Sequence, residues 1–187
     1  MKETGPENEG AGPKYPGLFP FAWKPLSDGR HADPACNEKN IELIRALGLI
    51  DTSFHEPLED RDELTREWHY LDAKVNVLLS MVSQLLTSQT PLPKPHWLTM
   101  GYHDISWCCQ QPPDEGSAVI VELYPSRDIP TPLRFSGSAI SIIKADDSYH
   151  VTARLDHMTG LLQQEWERFV FTGHRREVAS KQSTSGN

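Results

Sequence analysis

The sequence predicts an α+β fold: a small antiparallel barrel or curled sheet, a long amphipathic helix ahead of it, and a helix closing the chain. Three observations carry this. Hydrophobic residues recur at helical spacing up to about residue 90, at alternating or short-run spacing from 97 to 155, and at helical spacing again after 159. The connectors between the alternating runs are short and rich in Pro, Gly and Asp, which favours hairpins over crossover helices. Seven apolar residues also keep a 4, 3 step for three heptads.

In chain order, Met1 to Gly17 is rich in Pro, Gly and Glu, so residues 1–17 are expected as a disordered tail, and 181–187 as another. A single domain is expected over 18–180, with a helical insertion at 37–93. Leu18-Phe-Pro-Phe-Ala-Trp23 is too Pro-broken for a helix and reads as an edge strand or a strap across a sheet. Asn37 caps a helix carrying Ile41, Ile44 and Leu47, and Gly48 stops it. Glu56-Pro57 opens the longer helix, about 57–90, whose first turns hold Glu59, Asp60, Asp62 and Glu63 at the positive end of the dipole. Pro91-Leu-Pro-Lys-Pro95 ends it. Strands are expected at Trp97–Tyr102, Ile105–Cys109, Ala118–Tyr124, Leu133–Ile143 and Tyr149–Leu155. The last helix, Thr159 to about Ala179, sets Leu162, Trp166, Phe169 and Val170 on one face and ends on basic His174-Arg175-Arg176.

The heptad stripe is Leu64, Trp68, Leu71, Val75, Leu78, Val82 and Leu85. Trp68, Val75 and Val82 take a positions and the leucines take d, a pairing that by itself suits two strands. Leu79 and Leu86 at e, Met81 at g and Val77 at c widen the apolar arc towards three or four helices. A helix of roughly 50 Å exceeds what this chain would bury alone, so self-assembly is expected, against the competing reading of one helix packed on its own domain. Glu67 at g facing Asp72 at e of a parallel neighbour opposes assembly by only a few tenths of a kcal/mol.

Composition narrows function. Of the 187 residues, 18 are Lys or Arg and 26 Asp or Glu, so the net charge of −8 repels a nucleic-acid backbone over most of the surface. No run approaches the ~20 apolar residues of a bilayer helix, and the N-terminal stretch lacks the apolar core of a secretion signal, so a cytoplasmic chain is expected. Cys36, Cys108 and Cys109 would then be reduced. A zinc site from His96, His103, Cys108 and Cys109 fits no usual ligand spacing, and adjacent strand cysteines point to opposite faces. Nothing beside them positions a base or an oxyanion hole, so core cysteines are the better reading. Glu165 and Glu167, two apart on the last helix, read as a solvated face. No Gly-rich phosphate loop is present. No metal and no enzyme motif is expected.

From Leu98 to Glu177 the order resembles PilZ domains, small bacterial β-barrels that are receptors for cyclic di-GMP. The stretches are Ile105-Ser-Trp107, Pro112-Pro-Asp-Glu-Gly116 leading into Val119-Ile-Val-Glu-Leu-Tyr-Pro125, Pro132-Leu-Arg-Phe-Ser-Gly-Ser-Ala-Ile140, Tyr149-His-Val-Thr-Ala-Arg154, and Glu167-Arg-Phe-Val-Phe171 with His174-Arg-Arg-Glu177. Leu71-Asp-Ala-Lys-Val-Asn-Val-Leu-Leu79 just before the barrel is similar to a PilZ subgroup in which inserted helices join four chains in a parallel coiled coil. The resemblance implies an α+β chain in which a PilZ-like antiparallel barrel is interrupted by two helices, the longer a heptad coiled coil, and closed by a C-terminal helix.

Family members that bind the dinucleotide well carry an Arg-x-x-x-Arg pair and an Asp/Asn-x-Ser-x-x-Gly turn. No two of this chain's ten arginines are four apart. One register of the turn, the preferred one, puts Thr99, Gly101 and Asp104 at its key positions; the other, Asp104 to Cys109, keeps Asp and Ser and loses the glycine. Two phosphates ask for bidentate guanidinium contacts and a close backbone turn, so direct affinity is expected to be weak. Arg134, Arg154, Arg175 and Arg176 form a candidate anion patch. The expected function is non-catalytic signalling: a homo-oligomer, a tetramer by resemblance, acting through partner proteins in motility, biofilm or virulence. The alternatives are a direct cyclic di-GMP receptor and a Cys/His metal protein or enzyme.

Overall fold

The computed structural model describes residues 12–26, 34–53, 70–71, 73–75, 77–78, 81–82, 85, 91–126 and 129–184. Six strands, β1 (Tyr15–Pro25), β2 (Pro95–Met100), β3 (Asp104–Cys109), β4 (Ala118–Leu123), β5 (Leu133–Ala145) and β6 (Ser148–Asp156), close a barrel in the order β1-β2-β3-β6-β5-β4. Every neighbouring pair is antiparallel. Helix α1 (Pro34–Ser53) and the described residues of a middle helix between 70 and 85 lie between β1 and β2 in sequence, and α2 (Gly160–Thr184) follows the barrel. The sequence therefore read the architecture correctly, a barrel interrupted by helices and closed by another.

The Pro-rich first segment is neither an edge nor a strap. Its first half, Tyr15–Pro20, pairs with β2 and its second half, Phe21–Pro25, pairs with β4, so β1 is the strand that closes the barrel. The change of partner falls at Pro20, which has no N–H to give to a ladder. Three further boundaries move. The tail expected over 1–17 reaches into β1, the tail expected over 181–187 begins inside α2, and α1 continues past Gly48 to Ser53. Asn37 is no cap, because α1 starts at Pro34, where a fixed φ suits a first turn. Leu64, Trp68 and the expected Glu56-Pro57 opening lie outside the described residues.

The core follows the strand period. Leu98 and Met100 on β2, Ile105 and Trp107 on β3, and Val119, Val121 and Leu123 on β4 all point inward and are fully buried. On α2, Leu162, Trp166 and Val170, four residues apart each time, seal one end of the barrel. Between β5 and β6 the register shifts between Ala139 and Ser141, a bulge that helps curl the sheet. Just before it, a Cβ on Gly137 would sit 2.4 Å from the carbonyl oxygen of Arg154, so only glycine lets the two strands approach.

Helix α1 replaces a strand where the ladder runs out. The β5–β6 pairing begins at Ser136, which leaves the outward N–H and C=O of Arg134 unpaired by β6. Buried Asn40 fills both, donating from Nδ2 to the Arg134 carbonyl at 2.7 Å and accepting from its N–H at 3.0 Å. One turn earlier, Asn37 Nδ2 donates to the His157 carbonyl at 3.1 Å. Asn40→Leu keeps the volume and orphans both backbone groups, so it should destabilise the chain by about 2–4 kcal/mol, read from urea unfolding at fixed protein concentration.

Candidate functional site

The preferred register of the ligand motif falls on the β2–β3 turn, whereas the alternative register lies wholly inside β3. Thr99 ends near the top of β2 opposite Ser106, Gly101 opens the turn, and Asp104 starts β3. The turn is closed by its own hydrogen bond, from the Gly101 N–H to the Asp104 carbonyl at 2.8 Å. Its carbonyls are also taken. Trp166 Nε1 donates to the Gly101 carbonyl at 3.0 Å, Gln163 Nε2 to the Tyr102 carbonyl at 3.1 Å, and the Leu155 N–H to the His103 carbonyl at 2.7 Å. Helix α2 thus lies over the turn, fixed by two of its side chains.

A second cover comes from the N-terminal segment. Lys14 Nζ reaches both Asp104 oxygens, at 2.7 and 2.8 Å, and a Cβ on Gly101 would stand 2.8 Å from that ammonium and from Asp104 Oδ1. The ion pair therefore fills the space directly over the Gly101 backbone. The Lys14 carbonyl accepts from His174 Nδ1 at 2.7 Å, which assigns the proton to that nitrogen. Tyr15 packs edge-on against Phe19 and Phe169 and fills the space above Gly173, where a Cβ would be 2.3 Å from its ring.

The candidate anion patch is divided. Arg134 donates to Glu122 at 2.9 Å and Arg154 to Asp156 at 3.1 Å, so each barrel guanidinium already faces a carboxylate. Arg175 lies over the Phe171 ring at 5.9 Å, and Arg176 lines a groove between α1 and α2 with Arg45 and Arg168. His174-Arg175-Arg176 sits inside α2 and not at its end, since the helix runs on to Thr184. In the same groove Glu165 overturns its reading as a solvated residue: it is buried and holds Arg45 at 2.8 Å and Arg168 at 2.8 Å. No local signal in the sequence pairs Arg45 with Glu165, which are 120 residues apart.

The cysteines and histidines do not converge. Cys108 is exposed on β3, correcting its reading as a core residue, and Cys109 on the opposite face is half-buried. Burial pushes the Cys109 thiol above its ordinary range, which leaves less thiolate for nucleophilic work. His96 stands edge-on to Phe21, and His103 contacts Gln163 on α2. Among the described residues no three His, Cys, Asp or Glu side chains gather as metal ligands, and no helix is long and apolar enough to cross a membrane.

The middle helix supplies the other candidate surface. Leu71, Val75, Leu78, Val82 and Leu85 are helical and 44 to 61% exposed, with Val77 and Met81 exposed beside them. That is a broad apolar face on a chain whose barrel already has its own core.

Comparison with known proteins identifies the setting. A family model described as atypical PilZ domain, cyclic di-GMP receptor, matches residues 44–183. A Xanthomonas campestris structure, described as a pathogenic protein with a new tetrameric PilZ domain self-assembled via an unusual helical bundle, is similar at a TM-score of 0.73 and 18% identity, over 90% of this chain and 91% of that one. The PilZ domain of YcgR from Escherichia coli with c-di-GMP gives 0.38 at 15% identity, over 48% and 77%. The Bacillus subtilis inhibitor of motility MotI/DgrA gives 0.37 at 10%, over 46% and 42%. No curated protein matches the chain by sequence.

Proposed function

We propose that this chain, which belongs to the atypical PilZ domain family, is a non-catalytic cytoplasmic signalling protein that assembles through its middle helix and acts on partner proteins, with weak or no direct binding of cyclic di-GMP. One observation carries the reading of the ligand site: the β2–β3 turn has its carbonyls engaged by Trp166, Gln163 and Leu155, the Gly101 N–H by Asp104, and its flank covered by Lys14. A dinucleotide would have to displace those contacts, and the turn offers no arginine fork in exchange. Assembly is supported by the exposed apolar face of the middle helix and by likeness to a tetrameric relative that uses a helical bundle; by that likeness the number proposed is four.

The family description favours a second reading, a direct receptor. Calorimetry with cyclic di-GMP separates the two. The proposal expects no saturable heat at micromolar ligand. A dissociation constant in the micromolar range or tighter would establish the receptor reading in its place. The Asp104→Asn chain adds a sign: removing a negative charge beside the turn should raise any residual affinity, never lower it.

A further inference from the structure

Helices α1 and α2 pack against each other and leave a groove of about 560 Å³ between them, away from the β2–β3 turn. Arg45, Gly48 and Leu49 line it from α1, and Glu165, Arg168, Thr172 and Arg176 from α2. The α2 residues follow at steps of 3, 4 and 4, so they form one row along that helix. Gly48 has no side chain to fill the space opposite the row: Arg168 Nη2 stands 3.9 Å from where its Cβ would be. A smaller recess of about 80 Å³ shares Gly48, Arg168 and Arg176 with the groove and adds apolar walls from Ile44, Leu47 and Phe169.

The charge of the groove runs against the charge of the chain. Among its lining residues three guanidiniums meet one carboxylate, whereas the whole chain carries −8. Glu38 and Glu42, earlier on α1, line no part of it. Buried Glu165 holds Arg45 Nε through Oε1 and Arg168 Nη2 through Oε2, each at 2.8 Å. One carboxylate thus fixes two cations and neutralises only one of them. Each guanidinium spends one nitrogen on Glu165 and keeps further N–H donors, and the two side chains remain 51 and 62% exposed.

We propose that this groove binds an acidic segment of a partner protein, one with carboxylates on either side of an apolar side chain. The proposal deepens the partner-protein reading above and rests on it. Charge complementarity selects an acidic occupant, and the layout of the charges selects a peptide. Arg168 and Arg176 are eight residues apart on α2, about 12 Å at about 1.5 Å per residue, so the cations are strung along a line and not converged on a point. A lone phosphate asks for converging donors, whereas about four residues of extended chain carry two carboxylates across that distance. The apolar recess lies along the same interval, and Leu49 is 72% exposed at the groove, so an aliphatic side chain between the acids has a place to bury.

The test is fluorescence anisotropy of the full chain with rhodamine-labelled peptides that carry two pairs of glutamates around one leucine, the gap between the pairs widened one residue at a time. Saturable binding is expected for at least one spacing, with a dissociation constant of about 100 μM or tighter at about 0.15 M salt. Arg168→Gln and Arg176→Gln together should weaken it about tenfold, as two partly exposed ion pairs would, with circular dichroism checking that the variant is folded. Glu165→Gln, which removes the groove's one lining carboxylate, should tighten it, and replacing the peptide's leucine by serine should weaken it about tenfold. No saturable binding at any spacing, or binding that the arginine variant or the serine peptide leaves unchanged, overturns the proposal. So does displacement of the peptide by cyclic di-GMP, which would make the groove a nucleotide site, or tighter binding of a peptide copied from the chain's own Glu56 to Glu63, which would assign the groove to the chain itself. A direct-receptor result in calorimetry with peptide binding intact would instead remove the functional reading and leave the groove standing.

Discussion

Trp166→Ala is expected to destabilise the chain by about 3–5 kcal/mol, enough to melt most single domains at physiological temperature. The side chain is fully buried between Phe135, with ring centroids 5.0 Å apart, and Phe169, stacked at 5.6 Å. Truncation removes a large apolar surface at the point where α2 seals the barrel, and the strands cannot collapse far into the space because their ladder is closed. It also orphans the Gly101 carbonyl, which the indole N–H now satisfies. Trp166→Phe separates the two effects: it keeps an aromatic ring and loses the donor, and should cost about 1–3 kcal/mol. Urea unfolding by far-UV circular dichroism at fixed protein concentration measures both. A loss below about 1 kcal/mol for the alanine variant would mean that α2 is not the barrel's lid.

Leu78→Asp should abolish the helix-mediated assembly while leaving the barrel folded. Leu78 takes a d position of the stripe and is 61% exposed on the described chain, so it contributes to no core of its own barrel. In a bundle the same position is buried once per chain, and an isolated carboxylate there is penalised by several kcal/mol in each copy. Sedimentation should show the assembly falling to single chains. The strand signal in circular dichroism should remain. An unchanged mass would rule out this seam.

The strands were legible because their inward residues alternate without interruption, as in Val119, Val121 and Leu123, and because turn chemistry separates them. What escaped depends on distant pairing. Pro20 looked like a breaker, and only the arrival of β4 on the other side of Phe21 makes it the point where one strand changes partner. Asn37 and Asn40 carry the residue type of a helix cap, yet they are spent on β5 and on the end of β6, a use that cannot be foreseen without knowing where the β5–β6 ladder starts. Glu165 looked solvated because it was weighed against Glu167, two residues on, whereas Arg168 one turn along α2 and Arg45 from α1 both hold it. Alternation did show that Cys108 and Cys109 oppose each other; inward Trp107 decides that Cys108 is the outer one. At the candidate ligand site the motif's position was readable from spacing, whereas its closure by Trp166, Gln163 and Lys14 comes from residues 61 to 90 positions away.

The most direct test of the whole account is the mass of the unmodified chain in dilute solution by light scattering. A scaffold held by its middle helix should scatter as four chains, several times 21.1 kDa, and keep that mass on dilution through the micromolar range. A particle of 21.1 kDa would mean that the apolar helix face is covered from within, and the proposed assembly would be wrong.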